Sequence, residues 1–290
     1  METSHATAHS LMPTRRTRIW MEFGTLIALL ATLVFAIIPQ AAHAQSTVVG
    51  PKQYDLALGD SLAFGQQPNL DYNDGYVQQW YRSDLQGRGE SLTDYGCSGE
   101  TTGTMIYGGC VGYPIGLIHN YYVGSQLNAA VNFLHAHAGQ VSPVTLDIGA
   151  NDFFFDINTT FCTVSSNWTN DLANADSNLT NIILPQLTSA MKDQSGRMTG
   201  DLIMMNYYDP YQNKCPNTVP YVQQANQHLA ADAAKFGVPI VDVFTAFGGA
   251  TVPNPNTCTY TWYCSAYADI HSTTTGYGVI ANTFKQGIGY

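Results

Sequence analysis

Charge is scarce in this sequence, and basic charge scarcest of all. Only 11% of the 290 residues are charged, with 11 Lys and Arg against 21 Asp and Glu. A chain this acidic offers no electropositive face for a phosphate backbone, which argues against nucleic acid as a partner, and it gains little from anionic lipid surfaces. Metal-binding spacing is missing as well: there is no CxxC pair and no HExxH. His135 and His137 stand two apart on a predicted helix, so they point to different sides and make a poor metal pair. No metal or other cofactor is expected. Pro-rich linkers, charge blocks and internal repeats are absent, which leaves one domain as the economical reading.

Long apolar runs are also lacking, with one exception. Arg15, Arg16 and Arg18 precede an apolar stretch from Phe23 to Pro39, and Ala42-His43-Ala44 follows at once. The stretch falls short of the roughly 20 apolar residues that span a bilayer, and the order of charge, apolar run and small residues describes a signal peptide. Residues 1–44 are therefore expected to be removed after Ala44 by the Sec route, the arginine pair being a weak match to a twin-arginine signal. Their removal takes away three arginines and two glutamates, leaving 8 basic and 19 acidic residues on 45–290. The mature protein is expected to be extracellular, without a stable membrane anchor, and monomeric.

What is present begins with six cysteines, at 97, 110, 162, 215, 258 and 264, all in the exported part. An even number in an exported chain points to disulfides, and successive pairing (97 with 110, 162 with 215, 258 with 264) gives each bridge a local loop to pin. Short apolar runs at Tyr54–Leu58, Val144–Ile148, Leu202–Asn206 and Val238–Val243 read as buried strands. Helical spacing appears between them: Val77, Trp80, Tyr81 and Leu85; Leu127, Val131 and Leu134; Leu172, Leu179, Ile182, Ile183 and Leu187; and Val219 to Phe236. A last helix is predicted from Thr274 to Lys285, with Ser272 or Thr273 as its N-cap. Strands alternating with helices give an α/β fold with a parallel sheet covered on both faces, whose functional groups gather at the C-terminal strand ends.

Four turns fall after a strand or before the last helix. Gly59-Asp60-Ser61-Leu62 follows the first strand and exposes a hydroxyl, although a helix cap would look the same. Cys97-Ser98-Gly99-Glu100-Thr101 holds a glycine whose N–H could approach a substrate closely for want of a Cβ, or which is an ordinary turn. Gly149-Ala150-Asn151-Asp152 puts a donor amide at a strand tip, or an Asx turn. Asp269-Ile270-His271 places a histidine beside an acid just before the last helix, or on the bare surface. Each alternative is reasonable alone; the four in this order are hard to obtain by accident.

Together they make the sequence resemble the SGNH hydrolases, the GDSL esterases and lipases, with Gly59–Gly65, Cys97–Thr101, Gly149–Asp152 and Asp269–Ala281 matching the family's four blocks. The resemblance implies a three-layer α/β/α flavodoxin-like fold with a central parallel sheet, and a carboxylic ester hydrolase that works without a cofactor. It implies Ser61 as nucleophile, His271 as base, and an oxyanion hole made by the Ser61 and Gly99 N–H groups and the Asn151 side chain. The family usually places the acid three residues before the histidine, where this chain has Ala268. Asp269 could orient the imidazole from one position closer, a backbone carbonyl could do so, or His271 could work without a third partner. An acceptor on Nδ1 would fix the tautomer that leaves Nε2 free for the Ser61 proton, and a carboxylate would also stabilise the imidazolium.

The six cysteines in an exported domain are similar to those of actinobacterial secreted GDSL lipases and esterases, which makes acyl lipids or short-chain acyl esters the first substrate choice and acetylated polysaccharide the second. Phe153, Phe154 and Phe155, with Tyr207, Tyr208 and Tyr211, are expected around the crevice, though aromatic packing beneath loops would look alike. An acyltransferase and a non-catalytic glycan- or lipid-binding module are the alternatives. The module would be expected to lack Ser61, His271 or an oxyanion residue, and all are present. Sequons stand at Asn158, Asn167 and Asn178.

Overall fold

The structure, a computed structural model, describes residues 48–290; the signal segment expected over 1–44 lies outside the described residues. Five strands make one parallel sheet: β1 (Tyr54–Gly59), β2 (Ser91–Asp94), β3 (Val141–Asp147), β4 (Leu202–Met205) and β5 (Ile240–Val241), in the order β2-β1-β3-β4-β5. This is the flavodoxin-like arrangement, with its switch point between β1 and β3, where successive crossovers leave in opposite directions. The three inner strands β1, β3 and β4 are buried along nearly their whole length, as their largely apolar sequences require. Pro143 has no N–H to donate, and the β1–β3 register shifts there between Tyr54 and Leu56.

Among the described residues eleven α-helical segments accompany these strands: α1 (Ser61–Phe64), α2 (Tyr76–Trp80), α3 (Thr102–Tyr107), α4 (Gln126–Ala136), α5 (Ala150–Phe153), α6 (Trp168–Asn178), α7 (Leu184–Ala190), α8 (Val219–Ala234), α9 (Val243–Ala246), α10 (Thr257–Tyr260) and α11 (Thr274–Ile288). Helices α2 and α11 pack on each other, as do α4 with α7 and α6 with α8. Tyr76 stacks on Phe284 with ring centroids 5.0 Å apart, and Trp80 lies against the same ring.

Several elements differ from expectation for local reasons. Strand β2 was not among the predicted runs, because Ser91-Leu92-Thr93-Asp94 is a partly exposed edge with no apolar run to mark it. Strand β5 stops at Val241, because Asp242 turns the chain by accepting the N–H of Thr245 and starting α9. The helix predicted over Leu172–Leu187 is longer, with a π-helical turn at Leu179–Ile183 joining α6 to α7. Thr273, not Ser272, caps α11, while Ser272 is buried against the Tyr208 hydroxyl. The six cysteines form Cys97–Cys110, Cys162–Cys215 and Cys258–Cys264, and none of the six is free. Among the described residues no helix is long and apolar enough to cross a membrane.

Candidate active site

Ser61 sits where β1 gives way to α1, and the turn is dictated by close packing. Gly59 takes φ +143, and a Cβ there would lie 2.2 Å from the backbone oxygen of Asp147, so no other residue fits. Asp60 then caps α1 by accepting the N–H of Leu62 at 2.9 Å. Behind the turn lies a sealed polar network. Gln126 accepts the Gly59 N–H at 2.7 Å and donates to the Gly59 carbonyl at 2.9 Å. Asp147 accepts the Ala63 N–H and the Tyr76 hydroxyl, each at 3.0 Å, and Tyr207 donates to Asp60 at 3.1 Å. Burial, and after it the neighbouring Asp60 charge, pushes the Asp147 carboxyl well above its ordinary range.

The oxyanion candidates come from the ends of the adjacent strands. Gly99 has φ +82, and a Cβ on it would meet the Val111 side chain at 2.5 Å. Among the described residues no backbone acceptor takes the N–H of Ser61 or of Gly99. The Asn151 amide spends one N–H on the Glu100 carbonyl at 2.9 Å, which leaves its second free. Asp152 clamps the two blocks together by accepting the Thr102 N–H at 2.8 Å and its hydroxyl at 2.5 Å. Burial raises the Asp152 carboxyl to about 6 against the pull of those two bonds. Glu100, fully buried, is raised to about 7, first by burial, although Tyr122 and Gln126 donate to it.

His271 approaches from the loop before α11. Its Nε2 lies 2.8 Å from the Ser61 Oγ, and its Nδ1 lies 2.7 Å from Asp269 Oδ1, which also accepts the His271 backbone N–H at 2.8 Å. Ala268 has φ +48, a left-handed turn that a β-carbon resists, and just after it the acid two residues before the histidine reaches Nδ1. Burial alone would raise the Asp269 carboxyl, but the hydrogen bonds and charge of His271 outweigh it and hold it below its usual value. The loop is fixed by the Tyr208 hydroxyl on the Ile270 carbonyl at 2.9 Å and by Trp262 N–H on the His271 carbonyl at 3.0 Å, the latter beside the Cys258–Cys264 bridge.

Ser61, Asn151 and His271 line one cleft of about 80 Å³, together with Phe154, Phe155, Tyr207, Tyr208 and Tyr211. Phe153 departs from expectation: it is fully buried against Trp168, since on the short α5 its side chain turns into the core. Of the sequons, Asn178 spends its amide on the Thr102 hydroxyl. Cys97, Cys110 and Glu100 lie close enough to suggest a metal site, but the two sulfurs are bonded to each other and offer no thiolate. Sequence reasoning missed Gln126 and Asp147, and it named Tyr207 for the crevice wall and Asp152 for the third block without seeing their bonds to Asp60 and Thr102. The one available signal was an acid closing the apolar strand Val141–Asp147, where an unpaired charge would be costly.

A flavodoxin-like α/β/α fold with a serine, a histidine and an acid in one hydrogen-bonded line at its switch point is that of the SGNH-type hydrolases. Residues 57–279 match the GDSL-like Lipase/Acylhydrolase family, and the chain belongs to it, which makes it a carboxylic ester hydrolase. Among solved structures it is similar to the acetylxylan esterase Axe2 from Geobacillus stearothermophilus (16% identity, TM-score 0.53, 83% of this chain and 96% of that one). It is also similar to an extracellular lipase from Streptomyces rimosus (18% identity, TM-score 0.53, 81% and 99%) and to phospholipase A1 from Streptomyces albidoflavus NA297 (18% identity, TM-score 0.52, 81% and 99%). At this identity the likeness is one of fold. No curated protein sequence matches the chain.

Proposed function

We propose that the protein is a secreted, monomeric serine esterase that hydrolyses uncharged acyl esters through an acyl-enzyme on Ser61. The observation that carries this reading is the line Asp269–His271–Ser61, with heavy-atom separations of 2.7 and 2.8 Å. His271 Nε2 takes the Ser61 proton as Oγ attacks the ester carbonyl, and Asp269 holds the ring and stabilises the imidazolium. The Ser61 and Gly99 N–H groups and the free N–H of Asn151 stabilise the tetrahedral oxyanion. His271 returns the proton to the leaving alcohol, and water, activated by the same histidine, releases the acid. Secretion is supported by the leader-like sequence before residue 45, by three disulfides and by a fold shared with an extracellular lipase.

The cleft favours acyl over charged groups: its wall is largely aromatic, and its small volume admits the reacting carbonyl and the start of a chain. Hydrolysis of p-nitrophenyl esters of increasing chain length, by the protein from residue 45 and by its Ser61→Ala variant, tests the reading. Activity that vanishes with Ser61 supports it, and the chain-length optimum separates an acetylesterase from a lipase. Equal inertness of both on every ester overturns it in favour of a binding module. Product analysis with an added sugar alcohol shows whether the acyl group is transferred instead of hydrolysed.

A further inference from the structure

From Thr101 to Leu146 the chain has no Asp, Glu, Lys or Arg at all, in a protein whose acidic residues otherwise outnumber its basic ones by 21 to 11. The middle of this stretch, 107–124, is also where large apolar side chains stand out from the surface. Val123 is 96% exposed, Ile115 71% and Val111 67%, with Tyr107 and Tyr121 similarly bare. Scattered exposed apolar residues are ordinary, but a contiguous group marks a contact surface. Most of them meet at one groove: Val111 and Val123 line a groove of about 630 Å³ with Tyr113 and Pro114, Tyr121 packs edge-on against Tyr113, and Tyr107 and Ile115 are next in sequence to groove residues Gly108 and Pro114.

The segment is held still. Cys97–Cys110 ties its start, Gly112 donates to the Ser98 carbonyl at 3.0 Å, Tyr113 donates to the Tyr122 carbonyl, and Ile118 bridges to Cys97. Those bonds join it to the strip that carries Gly99, against whose Cα Val111 is packed. The surface is therefore rigidly linked to the candidate oxyanion site, whose own cleft leaves most of a large ester outside.

We infer that the 107–124 loop docks the enzyme onto the surface of a lipid aggregate without net charge, such as a zwitterionic phospholipid layer. Val111, Ile115 and Val123 enter the acyl boundary, and Tyr107 and Tyr121 sit at headgroup level, where an apolar ring with a polar tip is at home. The aliphatic side chains offer a sugar no hydrogen bond, which disfavours a polysaccharide, and the acidity of the chain disfavours an anionic layer. This inference rests on the proposed esterase reading for its substrate class, but its test does not depend on turnover.

The test is flotation of Ser61→Ala protein, which cannot consume the lipid, with phosphatidylcholine vesicles, beside the same protein carrying Ile115→Glu and Val123→Glu. Vesicle binding by the parent and about tenfold or greater weakening in the Glu pair are expected, with the Ile115→Ser, Val123→Ser pair in between. In the active background the Glu pair should hydrolyse p-nitrophenyl acetate within about twofold of the parent, since both positions are exposed. Equal binding by parent and variants, binding only after phosphatidylserine is added, or a parent dimer that the Glu pair dissociates would each overturn the inference. Inertness on every soluble ester would instead strike the esterase reading and leave the vesicle result standing.

Discussion

Ser61 and His271 reach their common hydrogen bond from supports of different kinds. The nucleophile's turn is set in the core: Gly59 is wedged against Asp147, and the bonds of Gln126, Tyr76 and Tyr207 around it are out of reach of water. The base rides on a surface loop, fixed by one tyrosine hydroxyl, two backbone bonds to the 260–262 segment and a bridge spanning only six positions. The serine's place therefore follows from folding itself, whereas the histidine's is added by local ties that folding does not require. Perturbing the first support should cost stability, and perturbing the second should cost turnover.

The largest effects test the line as a unit. Ser61→Ala and His271→Ala are each expected to lower kcat by about 10⁴-fold or more, and the double variant by no more than either alone, in single-turnover assays. Asp269→Ala should cost about 10²–10⁴-fold; a loss under about tenfold would pass the orienting role to a backbone carbonyl.

The next pair of variants separates the two supports. Cys258→Ser with Cys264→Ser should lower kcat by about tenfold or more while removing only about 2 kcal/mol of stability, because the closed loop is short. Gln126→Leu should do the reverse, since it leaves the buried Gly59 N–H without a partner, while the Gly59 carbonyl keeps the Cys97 N–H, at a cost of about 1–3 kcal/mol. Urea unfolding beside ester hydrolysis reads both, and a matching ratio of stability to activity loss in the two variants would erase the distinction. A milder probe of the core is Asp147→Asn: the amide oxygen can still accept the Tyr76 hydroxyl and the side chain fills the same space, so unfolding free energy should change less than with Asp147→Ala.

The same contrast governs what could be read beforehand. Ser61, Gly99, Asn151 and His271 stand out as candidates because each is a special residue type in a turn, the first three after strands and His271 just before α11, where chain direction and chemistry leave a mark in sequence. Strands β1, β3 and β4 were legible as apolar runs, and β2 was not, because an edge strand with one face toward solvent needs no such run. Gln126 and Asp152 were hidden because their importance comes from what folds against them across the chain, Gly59 in one case and Thr102 in the other. Phe153 was misplaced because three consecutive phenylalanines must point in different directions on a helical turn, and only the geometry of α5 says which is turned inward. The Asp269 spacing was ambiguous until the left-handed turn at Ala268 accounted for the shifted acid.

The smallest expected effect is also the one that sets the two regions in opposition: they titrate in opposite senses. Asp269 lies below its ordinary value, so its contribution to stability is present above the unfolded carboxyl value and is lost as pH falls through the folded one. Behind the sheet edge, Asp94 and Glu100 are raised, first by burial, to about 7 each. The folded state then binds more protons than the unfolded one between an unfolded value of about 4 and about 7, so stability falls as pH rises across that range and levels off above it. Thermal unfolding should accordingly show a higher Tm near pH 5 than near pH 8. Asp94→Asn should flatten that slope without lowering the Tm at pH 8, because the new amide can donate to Gln78 Oε1, which has no partner in the present orientation of its amide, while its oxygen keeps the Gly96 N–H. A Tm that rises from pH 5 to pH 8 would mean that Asp94 and Glu100 do not hold their protons in the folded state, because Asp269, which titrates below the unfolded carboxyl value, adds no slope in that range.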